Sequence, residues 1–308
     1  MKRSNREIVG TSAAIITAII SGFAIPLNKI FIVDLDPAVF TAIRALIVGA
    51  IFLVLSYAFQ RHNFERDKHP VKWPWHYLLI IGLIGGCFAF LLYFSGLQLT
   101  YAGRAAFIHK TLPIWVTMFG YFILREYAHR KQVFAMLLML LGVFFIFVSP
   151  PTMNVFLMSM TVGDFMVLIA TILWALEAII AKHAMLKKYH HFTISFGRMF
   201  FGGIFLFGAI ILLGRVPALL AIQPYQLVNI LVSSAVLFGY VFFWYTSINF
   251  IKVSKAATLL LIAPVISLLA GVFLLGESAG LLQLIGSALI LLGAYFVVHI
   301  KSRVVTGM

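Results

Sequence analysis

The sequence predicts an all-α integral membrane protein with ten transmembrane helices, arranged as two inverted five-helix repeats. Three observations predict it. The 308 residues are 63% hydrophobic and only 10% charged, with a mean hydropathy of +1.07, whereas an ordinary soluble domain carries about 25% charged residues. Apolar stretches of membrane-spanning length recur along the whole chain. The second half also repeats the first, position by position.

The apolar stretches run over 8–32, 37–59, 77–97, 103–124, 133–148, 163–185, 192–213, 227–248, 254–275 and 281–300. A helix rises about 1.5 Å per residue and the hydrocarbon core is about 30 Å thick, so each can cross, the fifth only just. The runs are continuously apolar instead of alternating, which argues against a β-barrel. Lys2, Arg3 and Arg6 before the first run resemble a signal peptide, but 8–32 is too long for its apolar region and is read as the first helix.

With the N-terminus inside, sixteen of the 23 Lys and Arg fall in inside segments: Lys2, Arg3, Arg6; Arg61, Arg66, Lys68, Lys72; Arg125, Arg130, Lys131; Lys187, Lys188; Lys252, Lys255; Lys301 and Arg303. The outside loops hold Arg215 alone, and the first of them carries Asp34 and Asp36. Both termini are therefore expected in the cytoplasm, in a multi-pass cytoplasmic (inner) membrane protein. Trp73 and Trp75 suit an interfacial aromatic belt. The net charge of +14 lies in these short segments and not on one basic face, so nucleic acid is not an expected partner. Cys87 is the only cysteine and lies in an apolar run, which leaves no disulfide framework or cysteine metal site.

Shifting the chain by 151 residues aligns 93–148 with 244–299 without a gap. Arg104, Ala105 and Ala106 fall on Lys255, Ala256 and Ala257; Pro113 falls on Pro264, Gly120 on Gly271, Glu126 on Glu277 and Gly142 on Gly293. Shifts of 153 to 154 pair Gly10 with Gly163, Lys29 with Lys182 and Arg44 with Arg198. The expected repeats are 8–148 and 161–300. Five helices is an odd number, so the second repeat enters the membrane in the opposite sense, an arrangement suited to alternating access around a midplane site.

These residues resemble the drug/metabolite transporter superfamily, in particular its ten-helix EamA-type members. The resemblance rests on Lys29 and Arg44, matched by Lys182 and Arg198, and on fourth-helix patterns formed by Ala105, Ala106, Pro113 and Glu126 and by Ala256, Ala257, Pro264, Gly276 and Glu277. The family's Trp-Gly pair is split between Ser21-Gly22 and Trp174-Ala175, and Arg125 stands where glycine precedes the glutamate. The resemblance implies export or exchange of amino acids, metabolites or drugs through a central cavity.

A charge deep in the bilayer costs about 2.5–3.5 kcal/mol on insertion scales, so such residues face the bundle interior or a cavity. Glu177 is the only acid near a helix centre, and its repeat partner is Ala24. It reads either as a proton carrier or substrate counter-charge, or as an intramembrane partner for Arg44, Arg198 or Lys182. His109 and Lys110 lie one turn before Pro113, with leucines at the repeat positions. His109 suits proton relay or substrate binding, or packing against a neighbouring helix, and Lys110 suits an anionic group such as a carboxylate. Trp174, Trp244, Tyr245 and Tyr93 are candidates for an aromatic substrate wall. Structural roles are expected for Arg44 and Arg198, for Pro113 and Pro264 as bends, and for Glu126 and Glu277 at turns. Gly85-Gly86 and Gly202-Gly203 permit close helix approach. His190-His191 lack metal-site company, and no phosphate-cradling loop is present, so neither metal, cofactor nor ATP is expected.

The expected function is a secondary transporter exporting or exchanging a small amphipathic metabolite, driven by protons or by exchange, as a monomer or homodimer among membrane lipids. An integral-membrane enzyme using His109 and Glu177 on a lipid-like substrate, or a lipid translocator, are the alternatives.

Overall fold

Among the described residues, ten helices are long and apolar enough to cross a membrane: α1 (Asn5–Ala24), α2 (Pro37–Arg61), α3 (Trp75–Gln98), α4 (Ala102–Leu124), α5 (Arg130–Phe147), α6 (Val162–Leu186), α7 (His191–Leu212), α8 (Pro224–Phe250), α9 (Val253–Phe273) and α10 (Leu281–His299). The structure, a computed structural model, describes residues 3–31, 35–67, 73–148, 159–276 and 278–300, with side chains for all of these except 3, 4, 25, 26, 28–30, 62–67, 274 and 275. Glu277, Asp34, Lys68 and Lys72 and the side chains of Lys29 and Arg66 thus lie outside the described residues. Among the described residues no strand occurs.

Local chemistry sets the helix starts. α5 begins at Arg130, three residues before its apolar run, because His129 Nδ1 accepts the Lys131 N–H at 3.2 Å. Thr161 and Asp164 cap α6 reciprocally: the Asp164 N–H reaches Thr161 Oγ1 at 3.2 Å and the Thr161 N–H reaches Asp164 Oδ2 at 2.7 Å. A helical turn, Val216–Leu220, joins α7 to α8.

The helices pack in pairs that survive an exchange of halves. α1 lies along α8 and α9, and its counterpart α6 lies along α3 and α4; α2 packs on α8 as α7 packs on α3; α5 pairs with α10, α2 with α7 and α4 with α9. Charged ties follow the same exchange. Arg104 at the start of α4 pairs with Asp164 on α6 at 2.5 Å, and its repeat counterpart Lys255, on α9, pairs with Glu7 on α1 at 3.1 Å.

Glycine allows the closest crossing. A Cβ on Gly202 of α7 would stand 2.6 Å from the Gly86 Cα of α3, and one on Gly86 would stand 2.5 Å from the Arg198 carbonyl oxygen. At this crossing both helices widen into π turns, Gly82–Phe88 and Gly197–Phe201. Such turns leave carbonyls off the regular ladder and often mark functional positions.

Candidate functional site

Proline breaks α4 and α9 at equivalent places. A proline ring clashes with the carbonyl four residues earlier, which is His109 for Pro113 and Leu260 for Pro264. α4 accordingly divides into Ala102–His109 and Leu112–Leu124, and α9 tightens into a 3₁₀ turn at Leu260–Ile262. Thr111 compensates in α4: its Oγ1 donates to the Ile108 carbonyl at 2.6 Å and accepts from Trp115 Nε1 at 3.2 Å.

The α4 break brings together rings from three helices. The His109 ring lies 5.0 Å from Trp174 on α6 and 5.6 Å from Tyr93 on α3, and Tyr93 lies 5.3 Å from Trp174. Phe90 completes the group, edge-on to Trp174 at 5.2 Å. Trp174 is fixed by its indole N–H, which donates to the Gly85 carbonyl in the π turn of α3 at 3.0 Å. His109 Nδ1 is buried and has no hydrogen-bond partner among the described residues. Lys110, half-buried beside it, closes the first part of α4 through its own N–H to Ala106. No ion pair joins Lys110 to an acid among the described residues.

A second cluster lies next to this one on α6. Glu177, 1% exposed, pairs with Arg198 of α7 at 3.4 Å and accepts a short hydrogen bond from the Tyr245 hydroxyl of α8. Its stem crosses over Gly85, where a Cβ would overlap Glu177 Cγ. The Arg198 guanidinium also lies over the Tyr245 ring at 6.0 Å, while Arg198 Nε has no hydrogen-bond partner among the described residues. Of the three basic partners suggested for Glu177, the structure brings Arg198 to it. Arg44 instead donates to Ser233 of α8 at 2.6 Å and covers the Phe40 ring at 3.9 Å. Lys182 donates to the Ile248 and Ile251 carbonyls at 2.6 and 3.1 Å.

The expected aromatic wall divides between these clusters. Tyr93 and Trp174 meet each other, Tyr245 joins Glu177, and Trp244 is buried at 3% exposure in the main core. Phe90 was not singled out from the sequence. Nor was Asp164, although the Thr161-x-x-Asp164 spacing is a capping signal. Glu126 reaches the Val253 N–H of α9 with Oε2 at 3.1 Å, across the halves. Burial pushes its carboxyl above the ordinary value, against the opposing pull of Lys182, the Val253 N–H and Lys252. His190 stacks on Phe59 at 3.6 Å and accepts the Phe192 N–H at 3.3 Å, and burial lowers its pKa to about 4. Among the described residues no three His, Cys, Asp or Glu side chains group as a metal site.

The chain is similar to proteins described as transporters. Residues 8–148 and 161–299 each match the model of the EamA-like transporter family. An uncharacterized transporter of Bacillus subtilis, YoaV, is 27% identical over 288 residues, covering 92% of this chain and 95% of its own. An uncharacterized transporter of Archaeoglobus fulgidus is 27% identical over 291 residues, 90% of this chain and 94% of its own. A solved crystal structure shares the fold, with a TM-score of 0.74 over 97% of this chain and 99% of its own at 18% identity. Family matches over both halves, ten helices of spanning length and relatives matched nearly end to end together make this chain a multi-pass membrane transporter of the EamA-like family.

Proposed function

We propose that the protein is a secondary transporter that moves a small amphipathic metabolite by alternating access between two inverted five-helix repeats, with both termini in the cytoplasm. One observation carries the binding reading: the Tyr93, His109 and Trp174 rings converge at the α4 break, where, among the described residues, His109 Nδ1 is buried without a partner and no ion pair joins Lys110 to an acid. Flat rings receive an apolar or conjugated body, the free imidazole nitrogen receives a hydrogen bond, and the ammonium receives a carboxylate. The exchangeable packing pairs support the inverted arrangement, because a scaffold with two equivalent halves has two near-equivalent states. In this reading Glu177 is the counter-charge that keeps Arg198 in the bundle interior.

The test uses purified protein and three probes that share one ring system: indole-3-acetate, indole-3-acetamide and tryptamine. Indole-3-acetate should raise the melting temperature most and should exchange across proteoliposomes. Lys110→Ala should weaken it by about tenfold, the loss of one charge-assisted contact, while leaving indole-3-acetamide unchanged. If no indole binds, the proposed chamber is wrong; if tryptamine binds best, the role of Lys110 is wrong. Accumulation driven by a pH gradient that Glu177→Gln abolishes, with binding retained, would assign Glu177 to proton coupling instead.

A further inference from the structure

One end of the bundle is tied by side chains from both halves. Lys255, near the start of α9, donates to Glu7 of α1 at 3.1 Å and to the Ile300 carbonyl at 2.7 Å, so the beginnings of α1 and α9 and the end of α10 share this face. The last turn of α4 arrives here too. It ends at Arg125 in the left-handed region, φ 53°, a conformation that a non-glycine residue adopts only at a cost. That cap bonds the Glu126 N–H to the Gly120 carbonyl at 2.9 Å and turns the Glu126 side chain inward, to 3% exposure.

The Glu126 carboxyl sits on the first turn of α9, accepting the Val253 N–H at 3.1 Å. First-turn N–H groups have no partner within their own helix, so Glu126 caps α9 from the other half of the molecule. Two cations flank it. Lys252 donates to the Tyr127 carbonyl at 2.7 Å, and Lys182, at the end of α6, donates to the Ile248 and Ile251 carbonyls where α8 ends. Lys182 follows Glu177 by about 7.5 Å along α6, at about 1.5 Å per residue. The tie therefore lies roughly one and a half turns beyond the Glu177–Tyr245 contact, between that contact and the bundle end.

We propose that Glu126 is the pin of a gate: seated on the first turn of α9 beside Lys182 and Lys252, it joins the end of α4 in the first half to α9 in the second, while Lys182 ties α6 to the end of α8, and it has to leave that seat before the chamber opens at this face. The proposal rests on the transport reading. α4 packs with α6, α9 packs with α1 and α8, and the two groups meet where α4 contacts α9, so the Glu126 bond lies on the seam that alternating access requires to part. Polar contacts between membrane helices are individually weak, so bound cargo can reverse this one.

The experiment needs no cargo. Leu260 is the repeat counterpart of His109 and lies in the core at 8% exposure. In a Cys87→Ser background, Leu260→Cys reports access through its reaction with a membrane-impermeant methanethiosulfonate ammonium reagent, applied to sealed vesicles from one side or the other. Glu126→Ala should raise the labelling rate about tenfold or more from the face that carries the termini and leave the rate from the opposite face unchanged. Lys182→Ala should act in the same direction. An unchanged rate in folded Glu126→Ala protein, or an equal rise from both faces, overturns the gate. If Glu126→Ala does not fold, Glu126→Asp is read instead: it keeps the carboxyl but is one methylene too short for Val253, and the same outcomes decide. Failure of the ring-cluster reading, seen as unaltered probe binding in Trp174→Ala, leaves this measurement intact.

Discussion

The pairing of Glu177 with Arg198 ties α6 to α7, and its strength follows from the geometry. At 3.4 Å and an effective dielectric constant of about 20, the gross attraction is about 5 kcal/mol. Desolvation of both groups takes back much of it, whereas removing one partner leaves the other charged and buried, at a cost of about 3–5 kcal/mol. Glu177→Gln keeps the shape and an acceptor for Tyr245 but strands Arg198, whose Nε already has no partner among the described residues. Arg198→Gln strands Glu177 in turn. Each single variant should lose about 3 kcal/mol in reversible unfolding by sodium dodecyl sulfate in mixed micelles, and the double variant should recover about 2 kcal/mol of the summed loss, within the range for residues in direct contact. Two single variants that each lose under about 0.5 kcal/mol and simply add in the double would show that the two groups do not depend on each other, and the counter-charge role of Glu177 would be withdrawn.

Two further outcomes follow from the packing. Gly202→Ala should cost about 1–3 kcal/mol, the usual range for overpacking, because its methyl would meet the Gly86 backbone at 2.6 Å, while Gly208→Ala, with nothing within 4 Å, should be neutral or stabilising; equal melting temperatures for the two would refute the close crossing. His190 is held at a pKa of about 4 against an ordinary 6.5. The folded protein thus binds this proton less readily than the unfolded chain, so its contribution to stability is complete above pH 6.5 and declines as pH falls towards about 4. His190→Asn, which keeps a capping side chain, should flatten that decline in a melting-temperature series; an unchanged slope would refute it.

The ten helices were legible in the sequence because a bilayer imposes a simple rule, that backbone polar groups be satisfied within each crossing segment, and long apolar runs record it directly. Pro113 and Pro264 align in the sequence, and α4 and α9 depart from regular geometry beside them, because proline acts on its own helix. Partner choice was another matter. Glu177 had three basic residues to choose among, and only the α3–α7 crossing, drawn close by Gly86 and Gly202, put Arg198 within reach while Lys182 turned to the end of α8. His109 and Trp174 are 65 positions apart, and Glu126 and Val253 are 127 apart. The α-helix has a period that a sequence displays; the distance between two helices depends on side chains from both, and no single segment records it.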